Sequence, residues 1–146
     1  MKRLIAVAAL ALLLSGCSQK AALKDLANGS CTVEQAQLVK EHISGQIDAI
    51  AKSEWESAYS FASPAFRAAV SLDEFVTIIE TQYEALISNQ GYAFKTCNIA
   101  NNQITQNVGV TSDAGVINLT YLLSLKESTL GIEAAVLSNA DTALVV

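Results

Sequence analysis

Apolar and polar positions change rhythm along this chain. An unbroken apolar run, Leu4 to Leu14, comes first. From about residue 33 to 87, apolar residues return every three or four positions, the spacing of a helix face. From about residue 92 onward, Val, Ile, Thr and Tyr dominate segments divided by turn residues, the pattern of strands. Helices followed by an antiparallel run predict an α+β domain, with three helices on one face of a four-stranded sheet.

The first predicted helix spans about Val33 to Ala51, with Ala36, Val39, Ile43, Ile47 and Ile50 on one face. Glu34, Glu41 and Asp48 repeat on another face and read as solvated surface. The second covers about Glu54 to Ala62, where Trp55, Ala58, Tyr59 and Ala62 share a face. Ser63-Pro64 then starts a further turn that carries Phe66 and Val70 inward. The third runs from about Leu72 to Ile87 on a stripe of Leu72, Phe75, Val76, Ile79, Tyr83 and Leu86. Thr32…Gln35, Ser53…Glu56 and Ser71…Glu74 each fit a capping box, in which hydroxyl and carboxyl or amide side chains satisfy the free amides of a first turn.

Strands are expected at about Tyr92–Ile99, Ile104–Val110, Val116–Lys126 and Gly131–Ser138. Asn101-Asn102, Ser112 to Gly115, and Glu127-Ser128 mark the reversals. Ile117, Leu119, Tyr121, Leu123 and Leu125 alternate with a more polar set, as in a half-buried antiparallel strand. Residues 139–146 are either a last strand or a frayed apolar end.

The opening residues place Lys2 and Arg3 before the apolar run and Ser15-Gly16-Cys17 after it, the order of a secretory signal. A helix of about 11 residues rises roughly 16 Å, about half of a ~30 Å hydrocarbon core, so the run is too short to span. Leu14-Ser15-Gly16-Cys17 resembles the bacterial lipobox. The resemblance implies a diacylglycerol on the Cys17 sulfur, cleavage before Cys17, and acylation of the new amine. Ser18 follows Cys17; Asp there would suggest inner-membrane retention in enteric-type bacteria, so the expected address is the outer membrane, facing the periplasm. The expected organisation is a signal peptide at 1–16, a lipidated tether at 17–31 and a single domain at 32–146.

Removing residues 1–16 leaves 130 residues, enough for one core. It also removes two of the nine basic residues and none of the 14 acidic ones, leaving a side-chain charge of −7. A chain so acidic, without a basic run, is not expected to bind nucleic acid. With Cys17 acylated, Cys31 and Cys97 remain. An even pair in an oxidising compartment reads as a disulfide; the alternative is two buried thiols that never meet.

The segment Trp55-Glu56-Ser57-Ala58-Tyr59-Ser60-Phe61-Ala62-Ser63-Pro64-Ala65-Phe66-Arg67, with Phe75 and Tyr83 downstream, resembles small bacterial domains of unknown function in the nuclear-transport-factor-two-like (cystatin-like) superfamily. The match is best over residues 36–87. It implies a curved sheet wrapped around the helices as a cone with an open mouth. Trp55, Tyr59, Phe66, Phe75, Ile79, Tyr83 and Tyr121 would line such a pocket, or simply fill the core. Relatives often end in a Trp-containing strand, where this chain has Leu130-Gly131-Ile132-Glu133.

Chemistry-bearing residues are sparse. His42, the sole histidine, sits at the edge of the first helix's apolar stripe. It is a boundary residue or, on the sharper reading, a general base partnered by Tyr59, Tyr83 or a carboxylate. One histidine offers little to a metal, and no phosphate loop, dinucleotide fingerprint or nucleophile elbow is present, so no metal or cofactor is expected. The reading is a membrane-anchored lipoprotein with a non-catalytic binding domain for an envelope protein or a small apolar ligand. The alternative is a small isomerase- or hydrolase-like enzyme using the cone mouth. Replacing Cys17 with Ser should abolish incorporation of labelled palmitate in the native host. Labelling that persists in that variant would overturn the anchoring assignment.

Overall fold

The computed structural model describes residues 23, 24 and 26–138. The signal-like segment, Cys17 and the apolar tail at 139–146 lie outside the described residues. Helix α1 spans Val33–Ala51, α2 Trp55–Ser60, α3 Pro64–Ala69, α4 Leu72–Gln82 and α5 Glu84–Ile87. Strands are β1 (Gly29–Ser30), β2 (Gly91–Ala100), β3 (Gln103–Ser112), β4 (Gly115–Lys126) and β5 (Thr129–Leu137). They form one antiparallel sheet in the order β1-β2-β3-β4-β5. The α+β class holds, but with five helices and five strands rather than three and four. Among the described residues no helix is long and apolar enough to cross a membrane.

The expected third helix is two. It breaks at Tyr83 (φ −129°, ψ 32°), whose hydroxyl donates to the Ala135 carbonyl of β5 at 2.7 Å. A bond to the far strand competes with the local helical pattern there. The expected second helix is the single helix α2, and the further turn expected at Ser63-Pro64 is a helix of its own, α3, because Ser63 caps it by accepting from the Phe66 amide at 3.0 Å, with Pro64 in the first turn. Capping boxes form at Thr32 and at Ser71, but not at Ser53. The Ser53 amide donates to Ile50 O and the Glu54 amide to Ala49 O, with Ser53 at φ 56°. That bond pair is a Schellman ending for α1, and it uses Ser53 as a stop rather than a start.

The additional strand arises within the expected tether. β1 pairs with β2 through Gly29 opposite Ile99 and Ser30 opposite Asn98, and the Cys31 amide donates to Cys97 O at 3.0 Å. Leu23 is buried in the core and Leu26 packs against it. These last tether residues therefore belong to the folded body. Cys31 and Cys97 form a disulfide with Cα atoms 5.5 Å apart.

One face of the sheet meets the helices. Ile104, Val108 and Val110 of β3 and Leu119, Tyr121 and Leu123 of β4 are buried there with Val39, Ile43, Ile47 and Ile50 of α1. Two bulges keep β2 and β5 in phase with that face. In β2, Lys95 and Thr96 lie between the pairs Phe94–Val108 and Cys97–Gln106. The extra residue lets Tyr92, Phe94, Cys97 and Ile99 all turn toward the core. Gln106, fully buried, fills this bulge by donating its side-chain amide to the carbonyls of Lys95, Thr96 and Asn107. In β5, Glu133 is the extra residue between the pairs Leu122–Ala134 and Leu123–Ile132. Bulges bend and locally twist the strands that carry them.

The Cys31–Cys97 bond closes a loop with a sequence separation of 66. The chain-entropy relation gives about 4 kcal/mol for a loop of that length. Changing both cysteines to Ser should lower the free energy of urea unfolding by about that amount. A loss well under about 1 kcal/mol would show that the reduced chain already holds β1 against β2.

Candidate functional site

A partly open cavity of about 160 Å³ lies between the helical layer and the last two strands. α3 contributes Phe66, α4 Phe75, Ile78 and Ile79, and the helix break Tyr83. Leu86 comes from α5 and Gln46 from α1. The opposite wall is Tyr121 on β4 and the bulged stretch Ile132 to Ala135 on β5, with Ala62 between the layers.

Of the seven residues expected to line a pocket, five converge here: Phe66, Phe75, Ile79, Tyr83 and Tyr121. Phe66 meets Phe75 edge-on at 6.2 Å, a favourable arrangement for two rings. Tyr59 stands behind this pair, 5.6 Å from Phe75, and its hydroxyl reaches the carbonyls of Val70 (2.6 Å) and Arg67 (3.1 Å). It fastens the end of α3 and is not part of the wall. Trp55 packs half-buried against the core, also away from the wall.

Most polar wall groups are engaged. Tyr83 donates to Ala135 O, Gln46 donates to Ala58 O at 3.3 Å, and Glu133 accepts from the Ser124 hydroxyl. Tyr121 differs. It is fully buried and its hydroxyl has no hydrogen-bond partner among the described residues. Burial, reinforced by the nearby Tyr83 and Tyr92, pushes its pKa well above the ordinary tyrosine value. The hydroxyl therefore keeps its proton.

His42 lies outside the wall. Its Nε2 is 2.9 Å from the Phe61 carbonyl, and its ring meets Phe61 edge-on at 5.1 Å. A carbonyl only accepts, so Nε2 carries the hydrogen. His42, Tyr59 and Tyr83 each bond to a different backbone carbonyl and form no shared constellation. Burial lowers the His42 pKa, and the bond to Phe61 opposes that only in part.

The sequence did not single out Gln46, Ala62, Ile132, Ala134 or Ala135 as wall residues. Gln46 had a local signal, because it sits beside Ile43, Ile47 and Ile50 on the buried side of α1. Ala134 and Ala135 had none: their place depends on the Glu133 bulge, which no local pattern announces.

Comparison with known families identifies the chain. A family described as a domain of unknown function (DUF4864) matches residues 32–142, and the chain belongs to that family. No curated protein matches it.

The lowered His42 pKa carries a signed consequence. Below the ordinary value of 6.5 the unfolded chain binds a proton that the folded chain refuses. The stabilisation is complete above that pH and drains away as pH falls toward the folded pKa. Urea midpoints should fall with acidification below about pH 6.5, and His42→Gln should flatten that decline. Glu74, held below its ordinary 4.5 by bonds from Ser71, acts in a separate and more acidic window. An unchanged slope in the His42 variant would assign the titration to another group.

Proposed function

We propose that this DUF4864 domain is the non-catalytic, ligand-binding head of a lipid-anchored bacterial envelope protein. The observation that carries the binding role is the cavity itself, whose walls are mainly aromatic and aliphatic. Its size suits a small apolar molecule: an engineered apolar cavity of ~150 Å³ takes up benzene. The helical layer on a bent antiparallel sheet supports kinship with the cone-shaped superfamily.

The anchoring part of the proposal draws on Leu14-Ser15-Gly16-Cys17 and on the charged and apolar residues before it. The Cys31–Cys97 disulfide fits an oxidising compartment, which favours export to the periplasmic side and outer-membrane attachment. The enzyme alternative asks for a base free to take a proton from a bound molecule. Glu133 on the wall is bonded by Ser124, and His42 faces a carbonyl instead of the cavity. Recognition is the chemistry these contacts favour.

Titration of the mature protein with benzene, followed by NMR, tests the binding role. Shifts should concentrate on the wall residues, with Kd on the order of 0.1–1 mM for so few heavy atoms. Ala135→Leu should fill the space and weaken binding by at least about tenfold while leaving the fold intact. Shifts elsewhere, or binding insensitive to that variant, would reject the cavity as the site.

A further inference from the structure

Two buried polar atoms among the described residues have no hydrogen-bond partner, Gln106 Oε1 and the Tyr121 hydroxyl. They are not equivalent. Gln106 plugs the β2 bulge and is not on the cavity wall. Tyr121 is one of the residues that line the cavity. A buried hydroxyl left without a partner costs about 1–3 kcal/mol, and native structures rarely leave that cost unmet. Larger pockets near Ala69 to Ile78 and between Ser60 and Gly131 are lined by neither Gln106 nor Tyr121.

We propose that the Tyr121 hydroxyl is the recognition group of the cavity, donating to the carbonyl oxygen of a neutral, otherwise apolar molecule the size of a single six-membered ring. The inference rests on the cavity being the binding site. Three observations select this chemistry. The hydroxyl is buried without a partner and retains its proton, so it has a hydrogen to donate. The neighbouring Tyr83 hydroxyl has already given its hydrogen to Ala135 O, so of the two wall tyrosines it is Tyr121 whose hydroxyl hydrogen is left to offer. Glu133 is the ionisable carboxylate on the wall, and no Lys or Arg joins it, so an anionic head group would be buried without a counter-charge. A neutral carbonyl accepts one hydrogen bond and brings no charge.

The test compares cyclohexanone with methylenecyclohexane, which has the same shape but no acceptor. The affinity ratio between the two is measured in the mature protein and in Tyr121→Phe. One neutral hydrogen bond is worth about 0.5–1.5 kcal/mol, so the preference for the ketone should fall roughly 2- to 12-fold in the variant. An unchanged ratio overturns the role of Tyr121 and leaves the cavity reading standing. Failure of both molecules to bind overturns both. The carbonyl ¹³C shift of labelled cyclohexanone on the unaltered protein is a second measurement, independent of whether the variant folds. A downfield shift relative to hydrocarbon solvent is expected, and its absence would also overturn the proposal.

Discussion

A short seam of backbone hydrogen bonds sews the helical layer to the sheet. The Ile132 amide donates to Phe61 O at 3.0 Å, and the Ser63 amide donates to Ile132 O at 2.9 Å. Each bond contributes only about 1 kcal/mol net, but leaving buried backbone groups unpaired would cost more. Much of the surrounding sequence serves this approach. A Cβ on Gly131 would sit 2.7 Å from Ser63 Cα, so any side chain there would force the backbones apart. A Cβ on Gly45 would meet the Phe61 ring at 2.4 Å. His42 gives the Phe61 carbonyl a second donor. Ser63 serves the seam with its backbone and caps α3 with its hydroxyl.

The cavity follows from that seam and from the bulge in β5. The seam fixes Ala62 beside Ile132. The Glu133 bulge then turns the rest of β5 so that Ala135 lies opposite Tyr121. Tyr83 bonds to the same Ala135 and interrupts the helix above it. Small side chains on β5 and a broken helix leave a gap that larger residues on a straight strand would close.

Features with a short sequence period were legible. The α1 stripe and the alternation of β4 around Tyr121 needed only local spacing, and both lie in the core as expected. Two of three capping boxes were legible for the same reason, while Ser53 was lost because ending one helix and starting the next compete for one residue. The helix break at Tyr83, strand β1 and the two bulges depend on partners far along the chain. Gly131 carries no sign of its contact with Ser63 except the absence of a side chain. The aromatic part of the site was readable because ring-bearing residues declare their burial. Its alanine and glutamine part was not, since such residues occur on either side of a helix or strand.

The disulfide also partitions the chain. All five helices and most of β2 lie between Cys31 and Cys97, while β3, β4 and β5 lie beyond it. A peptide-bond cut anywhere in the helical half would leave two fragments still covalently joined. A cut in the Asn101-Asn102, Asp113-Ala114 or Glu127-Ser128 hairpin turns would leave the distal strands held only by non-covalent pairing. To a protease, the three hairpin tips are thus the points where a single nick removes every covalent link between the fragments, and the helical layer is topologically insured against one.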